Sequence, residues 1–184
     1  MDDARKRVDP SRMPRVRKPP MPSSGIWEPL IPNIIRDVRK HASECVVART
    51  DASVDGECVG IGVALFPLYK KKPFFTDSQS LQCRSERPSS TLLELLAVYH
   101  ALVLAHDFGF SSIHLITDSR SVERMLAGLS KGRRRDIREV LGLMRGPALT
   151  YDTISVQWVP RAHNHVADKL ARSAREEEQR FMTA

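Results

Sequence analysis

The sequence predicts an α/β domain built on a five-stranded mixed sheet flanked by helices. Apolar and polar residues alternate with period two from about residue 44. A dense apolar run of helical length begins at Thr91, and after it short apolar strands and helices alternate to the end of the chain.

The segments "ECVVARTDAS" and "CVGIGVALF" read as strands joined by "VDGE", whose Asp55-Gly56 step suits a hairpin turn that needs positive φ. The segment "SQSLQCRS" is a third strand after the basic and aromatic insert "YKKKPFF". In "TLLELLAVYHALVLAHDFG" apolar residues at 92, 93, 95, 96, 99, 102 and 103 are too dense for one narrow stripe, so a largely buried helix closed by Gly109 is expected. Next come a strand "SIHLIT", helices "SRSVERMLAGL" and "RRDIREVLGLMRG", a strand "TISVQWV" and a last helix from about Asn164. There is no internal repeat.

With 184 residues the chain suits one domain with an appendage. Hydrophobic residues make up 41% and charged ones 28%, which is globular, and no apolar run approaches the roughly 18 to 20 residues of a membrane span. A net charge of +7 and a pI near 9.7 favour an acidic partner, with nucleic acid the leading candidate. Cys45, Cys58 and Cys83 form no C-x-x-C pair, so neither a disulfide framework nor a zinc ribbon is supported, and an intracellular, reducing location is expected.

Seven of the twelve prolines fall in the first 32 residues beside Arg12, Arg15, Arg17 and Lys18. Residues 1–43 are therefore expected to be a disordered basic arm, which would bind nucleic acid, carry a targeting signal or tether a protein partner. The arm lacks a secretory apolar core; Asp2, Asp3 and Asp9 weigh against a mitochondrial presequence, and "RVRKPP" fits a nuclear-type patch. Nucleus, cytoplasm and mitochondrion stay open. A domain over residues 44–178, a short tail at 179–184 and a monomeric protein complete the expected organisation.

Four acids lie where this architecture can gather them. Asp51 is in the first strand, Glu94 near the start of the buried helix, Asp118 at the carboxyl end of "SIHLIT", and Asp168 one turn into the last helix. Strand carboxyl ends line the functional crevice of an open α/β sheet, and converging carboxylates cannot all ionise without a cation. Hard oxygen donors favour Mg²⁺ or Mn²⁺, and two such ions roughly 3.5 to 4 Å apart would support phosphoryl transfer, one orienting hydroxide and one neutralising the leaving 3′-oxygen.

Each acid has a plainer alternative. Thr91-x-x-Glu94 fits a capping box, Asp118 fits an N-cap, and Asp168 can pair with Arg172 one turn on. Asp51 in an otherwise apolar strand is harder to dismiss, because an unpaired buried carboxylate is costly.

Taken together, "RTDAS", "SSTLLELLAVYHAL", "HLITDSRSV" and "WVPRAHNHVADKLARSA" resemble the ribonuclease H type 1 family, in the subgroup of plant and reverse-transcriptase-associated domains, over about residues 45 to 176. The resemblance implies a ribonuclease H-like fold and endonucleolytic cleavage of the RNA strand of an RNA/DNA hybrid. It makes Asp51, Glu94, Asp118 and Asp168 the metal ligands and His163 a candidate proton carrier. It also sets Ala52, Ser53, Ser90, Thr91, Ser119 and Asn164 against the substrate. Ala52 replaces a frequent glycine, and Ser90 and Thr91 replace amides that touch the minor groove. A long basic protrusion is missing; "SKGRRRDIR" offers Lys131, Arg133, Arg134, Arg135 and Arg138 in its place. Arg133 to Arg135, Lys70 to Lys72 beside Phe74 and Phe75, and the arm are candidate phosphate contacts, with a solvated charge cluster favoured for the lysines.

The adjacent letters His163, Asn164 and His165 do not make an H-N-H nuclease, whose residues are dispersed over a ββα unit, and no third histidine or cysteine lies near enough for zinc. Two other functions remain open: a catalytically silent binding module on the same fold, and a domesticated retroelement fragment. The presence of all four carboxylates favours the enzyme over the silent module.

Overall fold

The computed structural model describes residues 45–82 and 88–183. The arm at 1–43, Cys83 and the end of the expected third strand lie outside the described residues.

Five strands form one sheet in the order β3-β2-β1-β4-β5: β1 Cys45–Asp55, β2 Cys58–Pro67, β3 Phe75–Gln82, β4 Ser112–Thr117 and β5 Thr153–Trp158. The first three are antiparallel neighbours, and β4 and β5 run parallel to β1, as a mixed sheet requires. Asp55 pairs with Cys58, and Gly56 carries the positive φ of 62° expected at the turn. Strand β3 begins at Phe75, three residues before the expected start. Phe75, Asp77 and Gln79 are half-buried while Thr76, Ser78 and Ser80 face solvent, so the alternation starts inside what reads as a basic insert.

Among the described residues four α-helices accompany this sheet: α1 Ser90–Asp107, α2 Arg120–Leu126 and α4 His165–Thr183 pack on it, and α3 Arg135–Ala148 packs on α1. Helix α1 lies between β1, β2 and β4 on one side and α3 on the other. That position explains its apolar density: Leu93, Leu95, Val98, Leu102 and Leu104 are all buried. The turn after α1 closes at Gly109, φ 83°. Helix α2 stops three residues short of expectation, ahead of Gly128 at φ 73°. Residues 179–183, read from sequence as a tail, are the last turns of α4.

Helix α4 covers the other face of β1, β2 and β3, so β2 is buried on both faces through Phe66. Its contact stripe is Ala167, Ala171 and Ala174, and the strand beneath supplies Gly60 and Gly62. A Cβ on Gly60 would sit 2.0 Å from the Ala171 carbonyl oxygen, and one on Gly62 2.5 Å from that of Ala167. Small residues on both surfaces therefore set how near α4, and with it Asp168, comes to β1.

Gly62→Ala is expected to lower the free energy of unfolding by about 2 to 4 kcal/mol, because the obstacle is helix backbone. Gly142→Ala on α3, where a Cβ meets nothing within 4 Å, should raise it by about 0.5 to 1 kcal/mol. Urea unfolding of both variants checks the contrast.

Candidate metal centre

The site grows from the register of two parallel strands. Arg49 on β1 is level with Ile116 on β4, and continuing that pairing by two residues sets Asp51 level with Asp118 at the end of β4. Asp51 is 2% exposed. Asp118 stands free of a capping duty because Ser119, not Asp118, is the N-cap of α2, its hydroxyl accepting from the Val122 amide at 3.4 Å. The carbonyl of Asp118 accepts from the Trp158 indole at 2.9 Å, and Arg120 lies 4.0 Å over that ring, so the loop is held from β5.

Helix α1 brings the third acid. Its N-cap is Ser89, whose hydroxyl accepts from the Leu92 amide at 3.3 Å, so Thr91 and Glu94 make no capping box and the Glu94 carboxylate is directed elsewhere. Asp51, Glu94 and Asp118 each offer an oxygen within 4.8 Å of the others. Asp51 Oδ2 and Glu94 Oε2 are buried without a hydrogen-bond partner. Burial, and then the charges of Asp51 and Asp118, push the Glu94 carboxyl up to about 9. Burial and neighbouring Asp118 push Asp51 up to about 7, and burial raises Asp118 against the pull of Arg161. Hard oxygen donors, two orphaned lone-pair sites and no nitrogen or sulfur ligand fit a Mg²⁺-like or Mn²⁺-like ion.

Asp168 stands at the edge of this group. Burial fails to raise its pKa because the hydrogen bond and charge of Arg161 and the charge of Arg172 hold it low. Arg161 Nη2 donates to Oδ1, and Arg172 approaches Oδ2 at 3.1 Å, so the pairing with Arg172 read as an alternative is present. Arg161 is the residue that sequence reasoning missed. Its signal was a cation in "VPRAHN", seven positions before the last acid.

The remaining expected site residues divide. Ser90 is exposed, and Ala52 and Thr91 are half-exposed. Ser53 is buried and accepts from Arg175 of α4 at 3.1 Å, and Ser119 caps α2. Asn164, expected against the substrate, is instead fully buried; its amide donates to the Thr50 carbonyl at 2.8 Å and ties the turn before α4 to β1. His163 is exposed on a 3-10 turn, Arg161–His163, whose last carbonyl accepts from Arg49. Of the arginine run, Arg134 chelates Asp136 at 2.7 and 3.1 Å and Arg135 pairs with Glu139 at 2.8 Å, while Arg133 is exposed. Lys70 to Lys72 lie in the β2–β3 connection, at the end of the sheet opposite the carboxylates, as Val46 opposite Pro67 requires. Phe74 and Phe75 pack on Phe108 at 5.7 and 4.8 Å rather than offering a stacking surface.

A carboxylate group gathered from the middle of β1, the carboxyl end of the parallel strand β4 and α1, in a sheet ordered β3-β2-β1-β4-β5, defines the ribonuclease H-like class of α/β proteins. Residues 75–174 match the family described as reverse transcriptase-like, and the chain belongs to that family, in its ribonuclease H type 1 branch. The matched stretch holds Glu94, Asp118 and Asp168 but begins after β2, so Asp51 joins the set through the fold alone.

Over 88 residues the chain is 38% identical to ribonuclease HI of Halobacterium salinarum, covering 48% of this chain and 44% of that relative. The match thus spans less than half the relative's length. The solved ribonuclease H1 of Halobacterium salinarum superposes with a TM-score of 0.66 at 29% identity, over 72% of this chain and 98% of its own. An N-terminal ribonuclease H domain from Mycobacterium tuberculosis gives 0.69 at 22% identity over 76% and 99%. LC11 ribonuclease H1, isolated from compost and solved with an RNA/DNA hybrid, gives 0.66 at 19% over 73% and 99%. The last two likenesses establish the fold. No helix among the described residues is long and apolar enough to cross a membrane.

The raised carboxyls give a sign for stability against pH. Folded Glu94 keeps its proton to higher pH than unfolded Glu94, so its folded form is favoured below the unfolded pKa near 4.5 and loses ground as pH rises towards 9. Without divalent ions, Glu94→Gln should therefore stabilise the protein by on the order of 2 kcal/mol at pH 8 and by little at pH 4.5. Thermal melts of both proteins in chelator across that range measure the difference. A constant gap would contradict it.

Proposed function

We propose that this chain hydrolyses the RNA strand of RNA/DNA hybrids endonucleolytically, with two divalent ions, Mg²⁺ or Mn²⁺. The observation that carries the reading is the convergence of Asp51, Glu94 and Asp118 within 4.8 Å, with two buried oxygens left open, in a family of ribonuclease H domains. Likeness to ribonucleases H, one of them solved with a hybrid, supports the substrate class.

Ions bound here would supply nucleophile activation and charge neutralisation for phosphoryl transfer. Asp51, Glu94 and Asp118 would hold one ion, and Asp168 with Asp51 would hold the other. Ala52, next to Asp51 on β1, allows close approach of the substrate backbone, and Ser90 and Thr91 at the start of α1 offer short hydroxyls to a minor groove and its 2′-hydroxyls; their exposure supports this reading. Arg133 contacts phosphate, and Arg134 and Arg135 do so only by leaving their acidic partners. His163, exposed on the turn beside Arg161, carries the proton to the departing 3′-oxygen. Ser53, Ser119 and Asn164 position this machinery from behind. The basic arm at 1–43, joined to the domain that follows it, is the segment for a protein partner; we assign the protein as a monomer in a reducing, intracellular compartment.

Incubated with labelled RNA/DNA hybrid, double-stranded RNA and duplex DNA in Mg²⁺, the protein should cut only the RNA strand of the hybrid. Asp118→Asn should reduce that rate by about a hundredfold or more. Equal activity of the variant would remove Asp118 and the metal site from the reading, and an uncut hybrid with the wild type would leave a silent binding module.

A further inference from the structure

We infer that Arg161 is an internal stand-in for the second divalent ion: it occupies Asp168 until that ion displaces it, so the two ions bind unequally and in order. The inference rests on reading the carboxylates as a two-ion site, but not on which nucleic acid is cut.

The two halves of the site differ in what they offer a cation. Asp51 Oδ2 and Glu94 Oε2 are buried with no hydrogen-bond partner, and together with Asp118 they form a group of open oxygens. An arriving ion meets no basic side chain hydrogen-bonded to these two oxygens. Asp168 lies outside that group, and both of its oxygens are taken: Oδ1 by Arg161 and, at 3.3 Å, by Arg172, and Oδ2 by Arg172 at 3.1 Å. A second ion shared by Asp51 and Asp168 must first remove a guanidinium.

Arg161 holds Asp168 directly, and its charge also reaches Asp51 and Asp118. Its hydrogen bond to Asp168 raises its pKa, and the charges of Asp168, Asp51 and Asp118 add to that. Its backbone is fixed, because Asn164 is tied to Thr50 and the His163 carbonyl to Arg49. Its side chain is 62% exposed, so the guanidinium can leave Asp168 without disturbing the fold. A fixed turn with a free cationic tip suits exchange between a carboxylate and the phosphate of an incoming strand.

The test is Mn²⁺ binding to the full chain without nucleic acid, followed by calorimetry and by the Mn²⁺ resonance signal, with circular dichroism to establish that each variant is folded. The wild type should bind one ion and then a second about tenfold or more weakly. Arg161→Ala should tighten the second ion about tenfold and leave the first within about twofold. Arg145→Ala removes the same charge from an exposed position on α3 without touching Asp168, and should change neither. In an Asp168→Asn background, Arg161→Ala should have no effect on the second ion. Unchanged or weaker second-ion binding in Arg161→Ala would overturn the inference. So would equal tightening by Arg145→Ala, or an effect on the second ion that persists with Asp168→Asn. Absence of any ion binding would sink it together with the two-ion reading, whereas the expected isotherms from a protein that leaves hybrids uncut would uphold it and defeat only the proposed activity.

Discussion

One buried and two half-buried carboxylates meet between the centre of β1, the carboxyl end of β4 and α1, and the repulsion among them is the constraint around which the rest of the molecule is arranged. Carboxylates so placed either keep protons or acquire a cation, because burial removes the water that would otherwise screen them. Holding them together takes rigid parts: the paired centre of β1, the first turn of a helix packed on both sides, and a strand end clamped by Trp158. Each caps or ties off its own backbone with a neighbouring residue, Ser89 or Ser119, and so leaves the acid free for the pocket.

The fourth acid answers the same constraint differently. Asp168 arrives on α4, which comes close only because Gly60 and Gly62 present no side chains to Ala167 and Ala171. At the rim two guanidiniums can reach it, and its pKa falls where those of its neighbours rise. The site therefore has a deep half that lacks a cation and a shallow half that already contains one. That asymmetry follows from depth.

Surface charge is also distributed by local pairing rather than by count. The run Arg133 to Arg135 reads as a basic patch, yet two of its members are engaged by acids two and four residues on. The lysines of the β2–β3 connection lie at the far end of the sheet from the carboxylates, so among the described residues the cations beside the site are Arg161 and Arg172 rather than that lysine run.

What the sequence by itself determined are the features governed by neighbours a few positions apart. The two-residue hairpin at Gly56, the closing glycine at 109, the period of each strand and helix, and four acids in characteristic settings all follow from local sterics and hydrophobic spacing. Tertiary structure decided which of those acids meet, that Asn164 faces Thr50 and Ser53 faces Arg175 rather than a ligand, and that Arg161 sits on Asp168. It also moved the start of β3 into the basic insert, because Phe75 finds Phe108 and Leu65 only once the sheet and α1 are assembled. Asn164 and Thr50 are 114 positions apart, and Arg175 and Ser53 are 122 apart. Propensity and period act over one or two turns of chain, so contacts at that separation exist only after the sheet has closed and α4 has docked on it.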